Sequence, residues 1–297
     1  MHAAPGLLRE GLRRVTVKAF VVGHPIAHSR SPLIHGHWLA EHGIDGAYER
    51  VDVAPDAFDG FLRGLQDAGF AGGNVTIPHK EAAFRAVDTM TPRAEKIGAV
   101  NTLAVLPDGR LHGDNTDAPG FVAHLDQSLG AQGFGTDWAA GATAVVLGAG
   151  GAARAIVVGL AERGFARILV ANRTRARAEA LAALDPERVA ALDWADLPAA
   201  LGRADLLVNT TALGMRGQPP LAIDLAPLRP GAAVADIVYA PLETPLLAEA
   251  RARGHAPVDG LGMLLHQAVP GFERWFGVRP AVTPALRARL VAKLTAR

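Results

Sequence analysis

Short apolar runs alternate with amphipathic segments along the first 117 residues of the chain. Continuous apolar runs are typical of buried strands, and apolar positions three or four residues apart are typical of helices. The pair Ser31-Pro32 predicts a helix that has Ser31 as its N-cap and that Gly43 stops after about Glu41. The predicted elements are strand 17–23, helix 31–41, strand 48–53, helix 55–69 and strand 71–77. This alternation indicates an α/β layer.

A second series of strands and helices begins near Pro119. Apolar runs predict strands at 143–147, 167–171, 205–209 and 234–238, with helices at 150–164 and 173–184. Strands that alternate with helices predict a parallel, doubly wound sheet of the Rossmann type. From Gly260 onward the pattern is helical again. We therefore divide the chain into an α/β domain at 1–117, a doubly wound domain at 118–259 and a helical segment at 260–297.

Composition narrows the class of protein without selecting a function. The 297 residues are 49% apolar and 20% charged, which is ordinary for a globular chain of two domains. A formal net charge of +1 provides no global field that would favour nucleic acid as a partner. The chain has no cysteine, so disulfides, thiol nucleophiles and thiolate metal sites are excluded. A reducing cytoplasm is the expected location.

No apolar run approaches the length of about 18 residues that a membrane-spanning helix needs. Residues 1–14 contain three arginines and no continuous apolar core. We therefore expect an N-terminal extension there rather than a secretory signal. Neither a membrane nor nucleic acid is expected as a partner.

A glycine-rich turn follows the strand predicted at 143–147. It fits the pattern G-x-G-x-x-A and consists of Gly148, Ala149, Gly150, Gly151, Ala152 and Ala153. Gly148 permits a tight turn, and Gly150 lets the backbone approach a pyrophosphate at the N-terminus of the next helix. Because the turn lies between an apolar strand and an alanine-rich helix, it predicts a dinucleotide site. The alternative is a tight strand–helix turn that holds no ligand.

The end of the following strand distinguishes the two nicotinamide cofactors. An NAD site usually has Asp or Glu there, about 20 residues after the glycines, to bind the ribose hydroxyl. This chain has Asn172-Arg173-Thr174 instead, with Arg177 one turn later. Guanidinium groups and a hydroxyl suit a 2′-phosphate, so these four residues predict NADP. The alternative is a solvated basic helix start in which Asn172 and Thr174 are only caps.

Further polar side chains lie at the ends of the elements predicted in the first 117 residues. Ser29 and Ser31 are two positions apart before a helix and can form a cradle for a carboxylate. Asn74 and Thr76 share one face at a strand end, where buried polar groups need hydrogen-bonding partners. Ser29 and Ser31, like Lys80 and Asp117 after them, also have a plain structural explanation as a loop, cap or surface residue.

Taken together, these segments resemble the shikimate dehydrogenase family. The resemblance extends over nearly the whole chain from about Val17, and several motifs occur in the family's order. They are 22–32 (VGHPIAHSRSP), 74–80 (NVTIPHK), 98–102 (GAVNT), 113–117 (GDNTD), the glycine-rich turn, 172–174 (NRT), 209–211 (NTT), 236–241 (DIVYAP) and 262–268 (GMLLHQA).

The resemblance implies a two-domain α/β fold. The helices of 260–297 would return to complete an N-terminal substrate domain, beside a Rossmann-type NADP domain, with the active site in the cleft. Ser29 and Ser31 would hold the substrate carboxylate, with Tyr239 nearby. Ring hydroxyls would be bound by Asn74, Thr76, Asn101 and Gln267, and the catalytic pair would be Lys80 and Asp117.

The reaction implied by the resemblance is the reversible, NADP-dependent reduction of 3-dehydroshikimate to shikimate, in aromatic amino acid biosynthesis. Lys80 would either give a proton to the forming alkoxide or bind it and offset its charge while water relays the proton. Shikimate or 3-dehydroshikimate, together with NADP(H), is thus the expected set of small-molecule partners. A homodimer stays an open expectation for the assembly.

Three other interpretations stay open. The chain can be a quinate/shikimate dehydrogenase with a broader substrate range or NAD use, or a non-catalytic NADP-binding sensor. It can also be a metal enzyme that uses the histidines at 24, 28, 35 and 37, but no acidic residue lies among them and we expect no metal.

Trp38, Trp194 and Trp275 are predicted to be packing residues. Met263 either forms a wall of the nicotinamide site or belongs to the core.

Overall fold

A mixed sheet forms the centre of the first half of the chain in the computed structural model, which describes residues 16–295. Its strands are β1 (Val17–Gly23), β2 (Gly46–Asp52), β3 (Phe70–Val75), β4 (Thr89–Met90), β5 (Thr102–Val105) and β6 (Leu111–Asp114). The strand order is β2-β1-β3-β5-β6-β4. β1 runs parallel to β2 and β3, whereas β5 runs antiparallel to β3 and β6. The helices of this half are α1 (Ser31–Glu41), α2 (Phe58–Arg63), α3 (Lys80–Ala86) and α4 (Pro92–Ile97).

A second, fully parallel sheet follows the helix α5 (Asp117–Ala131). Its strands are β7 (Thr143–Leu147), β8 (Arg167–Ala171), β9 (Val189–Leu192), β10 (Leu206–Asn209), β11 (Ala233–Asp236) and β12 (Ala256–Val258). Its helices are α6 (Gly151–Arg163), α7 (Arg175–Ala182), α8 (Leu197–Leu201) and α9 (Pro245–Ala252). The strand order β12-β11-β10-β7-β8-β9 is the doubly wound order that reverses at the first strand. The predicted Rossmann-type sheet is therefore confirmed.

The strands of the second sheet are continuous apolar runs because helices cover both faces of the sheet. Alternate residues of β7 show the two faces. Ala144 and Val146 pack into one buried cluster with side chains of α5 and α6, whereas Val145 and Leu147 pack into another with side chains of α8 and α9. Both faces of the sheet thus contribute to the core.

The last three helices are α10 (Leu261–His266), α11 (Ala268–Phe276) and α12 (Pro284–Thr295), and they return to the first half of the chain. Trp275 Nε1 on α11 donates to Leu103 O on β5 at 2.8 Å, and Trp38 Nε1 on α1 donates to Ala281 O at 3.0 Å. Apolar side chains of α1, α10, α11 and α12 form one buried cluster. The C-terminal helices therefore complete the N-terminal α/β unit, as the resemblance implies.

The predicted N-cap of α1 is wrong. Arg30 occupies that position with φ −94° and ψ −5°, and Ser31 is already the first helical residue. The local acceptor is the earlier serine, because the backbone N of Ser31 donates to Ser29 Oγ at 3.4 Å.

Two predicted helices are shorter than expected, and one packing prediction is wrong. Segment 55–69 forms a 3₁₀ turn at Pro55–Ala57 and then α2, which ends at Gly64; glycine is a poor helix former. Segment 173–184 is helical only over α7.

Trp38 and Trp275 are buried, but Trp194 is 50% exposed. No helix within residues 16–295 is both long and apolar enough to cross a membrane, and the extension expected at 1–14 lies outside these residues.

Candidate active site

A cavity of about 410 Å³ lies between residues of β1 and β3 and residues of α10. We call it the central cavity. Its lining contains all nine residues predicted for substrate binding and catalysis: Ser29, Ser31, Asn74, Thr76, Lys80, Asn101, Asp117, Tyr239 and Gln267. Ala152, at the start of α6, lines it as well. The structure therefore brings the polar segments of both halves of the chain and the glycine-rich turn to one place.

Lys80 and Asp117 form an ion pair in the wall of the central cavity. Lys80 Nζ donates to Asp117 Oδ2 at 2.5 Å, and the two side chains are 30% and 14% exposed. The turn before Lys80 is held by His79, whose buried ring stacks on Phe58 and whose Nε2 donates to Val53 O at 2.7 Å. An ammonium group held in this way can supply a proton and offset negative charge on a ligand oxygen.

The amide groups of Asn74 and Asn101 belong to one buried hydrogen-bond network. Asn74 Nδ2 donates to Asn101 O at 3.3 Å and to Thr102 Oγ1 at 3.2 Å. Asn101 Oδ1 accepts from the backbone N of Thr116 at 2.8 Å. Asn101 Nδ2 donates to no other residue of 16–295 in this network, so its protons are available to a ligand. Both donors of Asn74 are already used, which leaves only its Oδ1 for a further contact.

Tyr48 and His35 support this network from behind the central cavity. Tyr48 Oη donates to Asn74 Oδ1 at 2.6 Å, and the His35 ring stacks on Tyr48 with a centroid distance of 3.9 Å. Burial raises the pKa of Tyr48, so its hydroxyl stays a donor. Burial also lowers the pKa of His35 to about 3, so this fully buried imidazole is neutral at pH 7.

The loop that carries Ser29 and Ser31 is fixed by the end of β2. Arg50 Nε and Nη2 donate to Ser29 O at 3.0 and 2.7 Å. Asp52 Oδ2 accepts from the backbone N of Ile26 at 3.1 Å. A hydrogen bond from His24 lowers the pKa of Asp52 and keeps it an anionic acceptor. The backbone of this loop is thus held where Ser29 and Ser31 line the central cavity.

Tyr239 and Gln267 line the central cavity from the last third of the chain. Tyr239 follows β11, where buried Asp236 accepts from Asn209 Nδ2 at 3.0 Å and from Thr244 Oγ1 at 2.7 Å. Burial raises the pKa of Asp236. Gln267 follows α10, and its Nε2 donates to Leu264 O at 3.0 Å. Both side chains share the lining of the central cavity with residues from the first third of the chain.

The glycine-rich turn has the geometry of a dinucleotide site. Gly148 has φ +103°, and a Cβ there would lie 2.7 Å from Thr210 Oγ1. Gly150 precedes α6, and a Cβ on Gly150 or Gly151 would meet no atom within 4 Å. Within the described chain no side chain caps the N-terminus of α6. The backbone donors of this turn and helix are therefore open to a pyrophosphate, with Ala149 and Ala152 in the same turn.

The residues after β8 fit the additional phosphate of NADP. Asn172 Nδ2 donates to Thr174 O at 2.9 Å and shapes the turn. Arg173, Thr174 and Arg177 are exposed, and neither of these two arginines is ion-paired with a carboxylate of residues 16–295. Arg175, by contrast, is held by Glu179 and Asp193. The guanidinium groups of Arg173 and Arg177, which form no ion pair within the described residues, therefore lie where a 2′-phosphate would be bound.

The four histidines at positions 24, 28, 35 and 37 do not come together at one possible metal site. His35 is inside the aromatic core, His24 pairs with Asp52, and His37 lies 3.4 Å from an arginine of α12. His28 alone lines the central cavity. The part of the chain that the structure describes contains no group of three or more His, Asp or Glu residues positioned to hold a metal ion.

Several cavity residues were not predicted as site residues. Ile237, Gly260 and Leu264 line the central cavity together with Pro25, Ile26, His28 and Arg30. Ile237 follows a strand of the doubly wound sheet, and ligands bind at the carboxyl ends of such strands, so its position was a usable signal. Met263 lines the same cavity and also packs against a buried core cluster, while its role as a wall of the nicotinamide site stays a prediction.

Three family models match successive parts of the chain. They are described as the shikimate dehydrogenase substrate binding domain at 21–103, shikimate/quinate 5-dehydrogenase at 130–215, and the shikimate 5′-dehydrogenase C-terminal domain at 260–288. A shikimate dehydrogenase (NADP(+)) of Methylobacterium radiotolerans is 74% identical over 281 residues, which are 94% of this chain and 98% of that protein.

Solved structures resemble the whole fold. Shikimate 5-dehydrogenase from Thermus thermophilus, in complex with NADP(H) and shikimate, has 38% identity and a TM-score of 0.81, covering 94% of this chain and all of that one (100%). Quinate dehydrogenase from Corynebacterium glutamicum, in complex with NAD, has 31% identity and a TM-score of 0.84, covering 93% of this chain and 99% of that one.

Proposed function

The chain belongs to the shikimate dehydrogenase family, and on that premise we propose that it interconverts 3-dehydroshikimate and shikimate with NADP(H). The resemblance inferred from the motifs is confirmed by the family models and by the 74% identical relative. The single observation that carries the mechanism is the Lys80–Asp117 pair, 2.5 Å apart in a cavity that the start of α6 also borders.

When bound, NADPH supplies the hydride for the carbonyl carbon of the substrate. The residues that would hold it are Gly148, Ala149, Gly150, Gly151, Ala152, Asn172, Arg173, Thr174 and Arg177. Of these, the turn residues would bind the pyrophosphate and the arginines the 2′-phosphate.

Lys80 acts on the oxygen that becomes negatively charged during reduction. Its ammonium donates to the forming alkoxide and offsets the charge. Asp117 accepts from Lys80 and from the neighbouring ring hydroxyl, so that it orients both the lysine and the substrate. In the oxidation of shikimate, the same lysine receives or relays the proton of the hydroxyl group.

The other cavity residues bind the rest of the substrate. The hydroxyls of Ser29 and Ser31 donate to the carboxylate, with Tyr239 beside it. Thr76, Asn101 and Gln267 bind ring hydroxyls. Asn74 also contacts the ring through Oδ1, but its main role is to orient Asn101, since both of its amide protons are used in the network.

The NADP-dependent shikimate reaction is favoured over the quinate and NAD alternative. The relatives at 54–74% identity are shikimate dehydrogenases (NADP(+)). No carboxylate of this chain stands after β8 where an NAD site usually has one, and Asn172 is in its place.

The domain division is part of the proposal. The first sheet lies within 17–114 and the second within 143–258, with α10–α12 packed on α1. We assign 1–117 with 260–297 to the substrate domain and 118–259 to the NADP domain. A cytoplasmic location and a homodimer, the commonest symmetric assembly, complete the proposal. Cell fractionation tests the location, and light scattering should give the mass of two chains.

The direct test is NADPH absorbance with shikimate and NADP⁺, and with quinate or NAD⁺ substituted singly. We expect rapid reduction with shikimate and NADP⁺, and kcat/KM lower by about a hundredfold or more in both substitutions, because each removes matched polar contacts. Comparable turnover of quinate or NAD⁺ would support the broader dehydrogenase. NADPH binding without turnover of any substrate would support the sensor interpretation.

A further inference from the structure

Arg154 connects the helix of the glycine-rich turn to the first half of the chain. It lies on α6, one turn beyond its start at Gly151, and its Nε donates to Ile97 O at 2.6 Å. Ile97 is the last residue of α4, and Gly98 follows it with φ +73°. A Cβ on Gly98 would lie only 3.2 Å from Arg154 Nη2, so the guanidinium packs closely against this turn. Arg154 itself does not line the central cavity.

The segment 97–101, which begins at this contact, is hydrogen-bonded directly to Lys80 and, through Asn115, to Asp117. The backbone N of Val100 donates to Lys80 O at 3.0 Å. Ala99 O accepts from Asn115 Nδ2 at 3.0 Å, and Asn115 Oδ1 accepts from the backbone N of Asp117 at 3.1 Å. A shift of this segment would therefore move the backbone positions of Lys80 and Asp117 together.

Apolar packing joins the same elements. Ile97 and Ala99 form a buried cluster with Ala118 on α5 and with Ala155 and Val158 on α6. α6 thus packs against the segment 97–101 and the first turn of the helix that Asp117 begins. Arg154 adds a polar contact to this junction, and hydrogen bonds from a charged donor are roughly twice as strong as neutral ones.

We propose that Arg154 is a positioning residue that aligns the glycine-rich turn, and with it the bound NADP, to the Lys80–Asp117 pair. This inference rests on the proposed function. Hydride transfer requires the reacting atoms to be about 3 to 3.5 Å apart, and a displacement of about 1 Å can reduce the rate about a hundredfold. A contact that fixes α6 against the segment 97–101 controls this distance without touching either ligand.

The chain offers a matched control at the same junction. Arg93 Nε on α4 donates to Glu162 Oε2 on α6 at 2.9 Å, with side chains 31% and 44% exposed. This pair links the same two helices as Arg154, but among the described residues neither side chain forms a hydrogen bond with the segment 97–101. Arg93→Ala therefore weakens the junction without releasing Ile97.

The test compares Arg154→Met, Arg154→Lys and Arg93→Ala with the wild type. For each protein, kcat is measured with ordinary shikimate and with shikimate that carries deuterium at C3, which gives the primary isotope effect. NADPH affinity is measured separately by fluorescence without substrate. Loss of folded protein lowers kcat but leaves the isotope effect unchanged, so the two readouts separate misalignment from instability.

We expect Arg154→Met to lower kcat about tenfold or more, to raise the isotope effect, and to change the NADPH Kd less than about threefold. Arg154→Lys keeps a donor, so its kcat and isotope effect should lie between those of Arg154→Met and the wild type. The kcat of Arg93→Ala should stay within about twofold of the wild-type value.

Wild-type kcat and isotope effect in Arg154→Met would overturn the inference. So would a tenfold weaker NADPH Kd with normal kcat at saturation, which would make Arg154 a cofactor ligand. If Arg154→Met does not fold, Arg154→Lys decides, and wild-type kinetics in that variant contradict the inference. Absence of turnover in the wild type would instead contradict the proposed function itself.

Discussion

Lys80 Nζ lies 2.5 Å from Asp117 Oδ2, although 37 positions separate the two residues in the chain. Lys80 begins the helix after β3, and Asp117 begins the helix after β6. The antiparallel strand β5 lies between β3 and β6 in the sheet and pairs with both. The mixed topology of the first sheet therefore brings two helix starts together beside the central cavity.

Substitutions at Gly148 and Gly150, in the turn after β7, should have different effects on stability and on NADPH affinity. A Cβ on Gly150 would meet no protein atom within 4 Å, so Gly150→Val should cost only about 1 kcal/mol of unfolding free energy. The same side chain would occupy the space of the pyrophosphate, so NADPH affinity should fall about tenfold or more. Denaturant unfolding and NADPH fluorescence measure the two effects.

Gly148→Ala is the matched comparison for that variant. Its φ of +103° and the 2.7 Å approach to Thr210 Oγ1 should reduce the unfolding free energy by about 1 to 3 kcal/mol. If Gly150→Val bound NADPH as tightly as the wild type, the pyrophosphate would not lie on this turn.

The exposed arginines after β8 should determine the choice of cofactor. Arg173→Ala and Arg177→Ala each remove charged donors worth about 1.5 to 3 kcal/mol, which corresponds to a rise of about 10- to 100-fold in the KM for NADP⁺. The KM for NAD⁺, which has no 2′-phosphate, should change little. Initial rates over a range of each cofactor measure both values.

Arg175→Ala provides the control, because Asp193 and Glu179 already hold that guanidinium. It should affect the KM for NADP⁺ much less than the other two substitutions. Equal effects of all three would indicate a general loss of positive charge instead of a phosphate site.

His35 should make the fold sensitive to acid. Its pKa is about 3 in the folded protein and near 6.5 in the unfolded chain, so below pH 6.5 only the unfolded state binds the proton. The free energy of unfolding is therefore unaffected by this group above pH 6.5, and it decreases by about 1.4 kcal/mol per pH unit as the pH falls from 6.5 towards 3. Other histidines whose pKa burial lowers, such as His266 and His124, add to this loss.

His35→Phe retains a ring beside Tyr48 and removes the titrating group. Both nitrogens of His35 lack hydrogen-bond partners among the described residues, so the variant should fold at pH 7. Between pH 7 and 5 the free energy of unfolding of the wild type should fall by about 2 kcal/mol more than that of the variant, as measured by urea unfolding at both pH values. Equal losses would contradict the assignment of a buried neutral imidazole.

The parts of the molecule that local pattern determines could be predicted. Strands β7 and β8 have the predicted bounds, because an uninterrupted apolar run between polar turns fits one conformation in a sheet that is covered on both faces. The glycine-rich turn was recognisable for a similar reason, since its strand, turn and helix are consecutive in the chain.

Contacts between distant segments could not be predicted in the same way. Nothing in the pattern around Tyr48 indicates that its hydroxyl lies 2.6 Å from Asn74, or that Arg154 reaches Ile97. Such pairs depend on the strand order and on how α6 packs against α4. Trp194 shows a further limit, because an apolar side chain can remain exposed where no element covers it.

The turnover of Lys80→Ala tests the central claim most directly, which is that the Lys80–Asp117 pair carries out the reaction. We predict that kcat for shikimate with NADP⁺ falls about 10³-fold while the NADPH Kd stays unchanged, because the lysine acts on the substrate oxygen and not on the cofactor. Lys96→Ala, which removes a lysine–aspartate pair outside the central cavity, should retain wild-type kcat. Near-normal turnover of Lys80→Ala would contradict the account.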